Sequence, residues 1–273
     1  MPIEPTQTRI QQKAQWVYGL AVLIFLSRFI SEAMFTQTSQ PVFAAEEHEL
    51  VYHLFLKSGI AQFITAHVWA SIAFDLSLFA LPILLILYFN RWLAICFTLL
   101  ALVYFLSFNI IAVHHYHGLV GLLLISIPFW FTDEKKFMLA WEGVRYYLLY
   151  IFASAALWKV VRGSAFSTEQ MSLILKSQQL DYLLQHPATF KSQVLSYLIA
   201  NPAKAHLILL ANTFLQLSFF AGFFTKRFNR LLLFAAIFFS IANYLLMGIA
   251  SFELLILCLT LLDWSKIKLS TGD

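Results

Sequence analysis

Apolar residues run along this chain in long blocks. They do not form the i, i+3, i+4 stripes of a water-soluble helix or the alternation of a half-buried strand. A bilayer core takes about 20 apolar residues per helix, and six blocks approach that length: Trp16–Ile30, Val68–Phe89, Trp92–Ile111, His115–Phe131, Tyr146–Val161 and Leu207–Phe224. The following run, Leu231–Trp264, is too long for one helix. The break from Gly248 to Ser251 divides it into a seventh span and a short eighth, which is a re-entrant candidate. The alternating pattern of a membrane barrel is missing. The expected fold is therefore all-α: a polytopic transmembrane bundle of about eight spans, with residues 1–273 as a single transmembrane domain. Arg9 and Lys13 precede the first block and Val42–Ala45 faintly resembles a cleavage site. The block is long and carries Arg28, so it reads as an uncleaved first helix.

Two segments between spans are long. Residues 31–67 are acidic, with Glu32, Glu46, Glu47 and Glu49. Residues 163–206 read as two helical pieces separated by Pro187. Ser167 and Gln170 have capping-box spacing, and Leu173, Leu180, Leu183 and Leu184 offer an apolar face for the first piece. Asn201 and Pro202 suit the cap and first position of the sixth span. Amphipathic pieces of this kind lie on a membrane surface or fold back over the bundle, and a helical cap is expected.

Composition removes whole classes of function. The chain is 60% hydrophobic and only 12% charged, against about 25% charged in soluble domains. A mean hydropathy of +0.76 excludes a soluble enzyme, a disordered chain and a secreted disulfide scaffold. The formal charge of +4 is small and scattered, so nucleic acid is not an expected partner; membrane lipid is. Cys96 and Cys258 fall inside apolar runs and read as buried small hydrophobes.

The few charges orient the bundle. With a cytoplasmic N-terminus and eight spans, both termini are cytoplasmic. The cytoplasmic segments then hold Arg9, Lys13, Arg91, Lys135, Lys136, Arg145, Lys226, Arg227, Arg230, Lys266 and Lys268, 11 of the 18 basic residues. The other seven are spread over much longer outer segments. This is the positive-inside pattern, and a missed or extra span would scramble it. All eight histidines (His48, His53, His67, His114, His115, His117, His186 and His206) then fall on the outer side.

Arg28, Asp75, Lys159, Arg162 and Glu253 lie in or near apolar runs at outer depth. A charge at the centre of a membrane helix costs ~2.5–3.5 kcal/mol on insertion scales, and functional sites are the usual exceptions. The alternative is an ion pair that only holds helices together, or a snorkelling side chain. The turn His114-His115-Tyr116-His117 offers imidazoles to a substrate. A metal would need ligands from His48, His53 or His67 as well, and no strong metal spacing is present, so no metal site is assigned.

The fifth span reads Arg145-Tyr-Tyr-Leu-Leu-Tyr-Ile-Phe-Ala-Ser-Ala-Ala-Leu-Trp-Lys159, followed by Val-Val-Arg-Gly163. It resembles the vitamin K-dependent γ-carboxylases and their bacterial relatives, the HTTM (horizontally transferred transmembrane) domain proteins. In that family an aromatic-rich helix runs from a basic residue, through a small-residue step, to a lysine that is the active-site base. Lys159 falls on that lysine when Arg145 is set on the basic residue, with Ala155-Ala156 at the small step. The turn His114–Gly121 looks like the family's second polar motif, with His114 or His115 in the histidine's place. The sequence departs from the family at Trp158, where the carboxylases carry another lysine, and in lacking their large soluble domain.

The resemblance implies an integral membrane enzyme linked to a reduced, vitamin K-type quinone, with a small or peptide substrate. Lys159 would be the general base, with His115 or His114 orienting the anion. Asp75, Arg28, His117, Trp158, Arg162 and Glu253 are supporting candidates from their positions in the sequence, and the resemblance gives Asp75, Arg28 and Glu253 no role. It further implies a bacterial inner (plasma) membrane, the pocket facing the extracytoplasmic side. Two non-enzymatic readings stand beside it. One is a membrane binding or assembly subunit in which Lys159 pairs with Asp75 or Glu253; the other is a small transporter.

Overall fold

A computed structural model of the chain describes residues 5–38, 41–43, 50–111, 119–248 and 252–264. All regular structure among them is helical. The chain divides into two compact units, and the division falls between Trp141 and Glu142. Six helices are long and apolar enough to cross a membrane.

The first unit opens with α1 (Pro5–Ile30), followed by a 3₁₀ turn at Phe35–Gln37. Two short helices, α2 (Leu50–Lys57) and α3 (Ile60–Ala66), lead into α4 (Val68–Leu87) and α5 (Arg91–Ile111). Next come α6 (Leu119–Ser126) and a 3₁₀ stretch, Ile127–Trp130. α1 packs along α4, and α4 along α5. The Gln11 amide donates to the Ile86 carbonyl (3.0 Å) and accepts from the Phe89 N–H (3.1 Å), so α1 closes the open end of α4. The core of this unit is aromatic. Tyr18 meets Phe97 and Phe129 edge-on or tilted, and Phe25 meets Phe97 and Tyr104 edge-on. Such geometries suit ring quadrupoles, which helps explain why a Phe-rich chain folds inward here rather than only lining lipid.

α7 (Glu134–Val161) runs across the division, beginning well before the expected Tyr146. In the second unit a 3₁₀ turn, Ser164–Phe166, precedes α8 (Gln170–Gln185) and α9 (Phe190–Ala200). α10 (Pro202–Leu217) continues through a 3₁₀ turn, Ser218–Phe220, into α11 (Ala221–Phe224). α12 (Asn229–Met247) ends at Gly248, whose φ of 72° is the left-handed C-cap conformation. A 3₁₀ stretch, Phe252–Leu261, follows.

Several sequence expectations change. The fourth expected span, His115–Phe131, is described only over Leu119–Trp130, where it is a short helix tightening into a 3₁₀ turn. The expected eighth span is a 3₁₀ stretch. The capping box at Ser167 does not form. Ser167 instead closes the preceding 3₁₀ turn, and Glu169 is the N-cap of α8 with no side-chain bond. The apolar face assigned to α8 is largely the outward one: Leu173, Leu180 and Leu184 are exposed. Asn201 and Pro202 do begin α10 as cap and first residue.

Candidate functional site

Lys159 stands in the last turn of α7, half-buried. Its Nζ donates to Oε1 of Gln216 at 2.7 Å. Gln216 lies near the end of α10 and is buried. Thr213, one turn earlier on the same face, is also buried and bonds its hydroxyl to the Leu209 carbonyl at 2.8 Å. Among the described residues no carboxylate forms an ion pair with Lys159. The amine is thus held by a neutral amide, which positions it without supplying a counter-charge. The chain turns sharply just beyond: Gly163 has a φ of 75°, and the Ser164 hydroxyl bonds back to the Lys159 carbonyl at 3.1 Å.

A second polar cluster sits where α7, α11 and α12 meet. Arg145 is 1% exposed. Its Nη2 donates to the Gly222 carbonyl (2.7 Å) and to Oδ1 of Asn229 (3.0 Å). Its Nη1 lies 3.8 Å from Oε2 of Glu142, which also binds Lys226. The guanidinium therefore caps a carbonyl at the end of one helix and ties it to the start of the next.

In the first unit Asp75 is buried on α4. Its carboxylate accepts from the Phe35 N–H (3.3 Å), the Thr36 N–H (2.8 Å) and the Thr36 hydroxyl (2.8 Å). It caps the 3₁₀ turn that follows α1. Tyr104 donates its hydroxyl to the carbonyl of Ala33, just before that turn.

Asp75 and Lys159 thus each make these hydrogen bonds inside their own unit. Arg28 occupies the last turn of α1, half-buried, and its carbonyl receives the Ala33 N–H at 2.9 Å. Trp158 and Arg162 are both exposed, the guanidinium stacked 4.3 Å over the indole. His114, His115 and His117 lie outside the described residues, as does the side chain of Glu253. Among the described residues no three His, Cys, Asp or Glu side chains gather to hold a metal ion.

No charge marks Gln216, Asn229 or Gly222 in the sequence. For Gln216 the available signal is an uncharged amide in an apolar run, since such a group costs energy unless it is hydrogen-bonded; Asn229 and Gly222 carry no such signal. Comparisons with protein-family models, curated proteins and solved structures found no match.

Proposed function

We propose that this integral membrane protein is a quinone-linked enzyme of the HTTM type, with Lys159 as general base. The observation that carries this reading is the Lys159–Gln216 hydrogen bond, a lysine amine oriented by a buried neutral amide. The Lys159 Nζ takes the proton from the hydroxyl of a reduced quinone, and the resulting ammonium keeps its bond to Gln216. In the family this lysine resembles, a bound reduced quinone would supply, together with oxygen, the strong base needed to remove a carbon-bound proton from the substrate. His115 or His114 would orient the resulting anion, the role that the resemblance gives to the family's histidine. We further propose eight crossings, both termini in the cytoplasm, a helical cap over residues 163–206, and a site on the extracytoplasmic side of a bacterial inner membrane.

The test uses the full chain in lipid vesicles containing a reduced naphthoquinone, with quinone oxidation and oxygen uptake recorded. The wild type is expected to turn over. Lys159→Ala is expected to lose at least ~100-fold, the lower range of a general base's contribution, while remaining monodisperse and folded. Full turnover in Lys159→Ala, or none in the wild type, overturns the proposal. In that case the Lys159–Gln216 bond is a structural tie between α7 and α10.

A further inference from the structure

The α8–α9 hairpin turns several large apolar side chains outward while it buries polar ones. The side of α8 packed against α9 and α10 carries Met171 and Leu175, but it also buries Ser172 and Gln179. On α9 the buried Ser192 bonds its hydroxyl to the His186 carbonyl at 2.6 Å. The outward side of α8 holds Leu173, Leu180 and Leu184, which are 57%, 48% and 71% exposed, together with the exposed polar residues Lys176, Ser177 and Asp181. Spacings of seven and four place these three leucines on one helix face. Phe166 and Phe190, at either end of α8, are also exposed.

The connections fix what lies outside this face. The hairpin joins the end of α7 to the start of α10, and both helices belong to segments long and apolar enough to cross a membrane. Leu246 and Met247, at the end of the crossing helix α12, pack into the same cluster as α8, α9 and α10. Three crossing segments therefore end or begin at the hairpin, and it sits at a membrane face. Basic side chains laid on aromatic rings surround it. Arg162 stacks on Trp158 (4.3 Å), Lys191 on Tyr182 (4.3 Å) and Lys204 on Tyr197 (4.7 Å). Trp and Tyr collect at the headgroup level, and Lys and Arg extend their charge toward headgroup phosphates from apolar surroundings. Residues 162–206 carry four Lys or Arg against two acidic residues.

We infer that the Leu173–Leu180–Leu184 face of α8 inserts at the boundary between lipid headgroups and acyl chains, with Lys176, Lys191 and Lys204 facing headgroup phosphates. The occupant of this apolar face is phospholipid of the same membrane that the spans cross. The inference does not depend on Lys159 or on any catalytic step.

Nitroxide labels test it in the full chain, in vesicles of phosphatidylcholine and phosphatidylglycerol. With Cys96→Ser and Cys258→Ser as background, single cysteines replace Leu180, Leu184, Gln178 or Phe238. The expected result is high oxygen and low nickel-chelate accessibility at positions 180 and 184, as at 238 on α12, and the reverse at 178. Nickel accessibility at 180 and 184 equal to that at 178 overturns the inference. So does exclusion of both reagents, which would mark a protein partner or second copy. A second measurement uses the unmodified wild type and a phospholipid with a photoactivatable group near its glycerol. Adducts are expected on peptides from 170–185; adducts on α12 with none there also overturn the inference.

Discussion

A buried carboxylate among apolar residues invites a catalytic role, and the bonds of Asp75 show what else it can do. The segment after α1 folds back with Glu32 at a φ of 55°, leaving the N–H groups at the start of the Phe35–Gln37 turn without helical partners. Asp75 accepts two of them and the Thr36 hydroxyl. The sequence marked Asp75 as out of place, but two of its three partners are backbone N–H groups that no residue pattern reveals. Lys13 makes the same point. Read as a loop charge, it is buried with its ammonium about 5 Å from the rings of Phe137 and Trp141. Asp75→Asn replaces one acceptor oxygen with an amide that faces N–H donors. It is expected to cost about 2 kcal/mol, the scale of a hydrogen bond to a charged group. Thr36→Val removes one donor and leaves the two backbone bonds, and is expected to cost about 1 kcal/mol. SDS titration of unfolding in mixed micelles reads both. Equal stability of Asp75→Asn and wild type would remove the capping role.

The bounds of α4 and α5 were legible because their apolar blocks match the bilayer, whereas the polar first turns of α1 and α7 lie outside any apolar block; Gly248 was legible as a break because a helix C-terminus favours glycine. The interruption of the sixth span was not. The helix from Pro202 to Phe224 tightens at Ser218–Phe220, and Gly222 then packs against α7 and α12. A Cβ on Gly222 would lie 2.5 Å from Leu149 Cδ2 and 2.9 Å from Leu232 Cδ1, and both leucines are buried. The same glycine presents its carbonyl to Arg145. Gly222→Ala must therefore displace packed leucines and strain the Arg145 bond, with an expected loss of ~1–3 kcal/mol. Gly143 on α7 has nothing within 4 Å of the equivalent position, and Gly143→Ala should be neutral or gain up to ~1 kcal/mol from helix propensity. Thermal unfolding in detergent should separate the two variants, with Gly222→Ala lower. A higher midpoint for Gly222→Ala would contradict the packing. The leucines of α8 were legible as a face, but not the direction they point, because a membrane surface and the bundle can each receive an apolar face.

Whether the chain crosses at Leu119–Trp130 decides where everything after it lies. At 1.5 Å per residue the described part of this stretch spans roughly 18 Å, against a hydrocarbon core of about 30 Å, so it does not bridge the core by itself. If it does not cross, Lys135, Lys136, Lys226, Arg227 and Arg230 fall on the side opposite Arg9 and Lys13, against the positive-inside pattern. Contacts within the first unit favour the return. Trp130 donates its indole N–H to Thr98 Oγ1 (3.2 Å), near the start of α5. Phe129 meets Phe89, just beyond the end of α4, at 5.7 Å. Lys13, early in α1, lies against Phe137 and Trp141 at the start of α7. If α1, α4 and α5 each cross, the contact between the early parts of α1 and α7 calls for a fourth crossing at Leu119–Trp130. Reporter fusions decide it. Truncations fused after Asp133 and after Thr225 are expected to be active as cytoplasmic reporters and silent as exported ones. Fusions after Ser58 and after Pro187 are expected to give the opposite pattern. If the fusion after Asp133 matches the one after Ser58, the short helix does not cross, and the eight-span arrangement and the proposed side of Lys159 fail together.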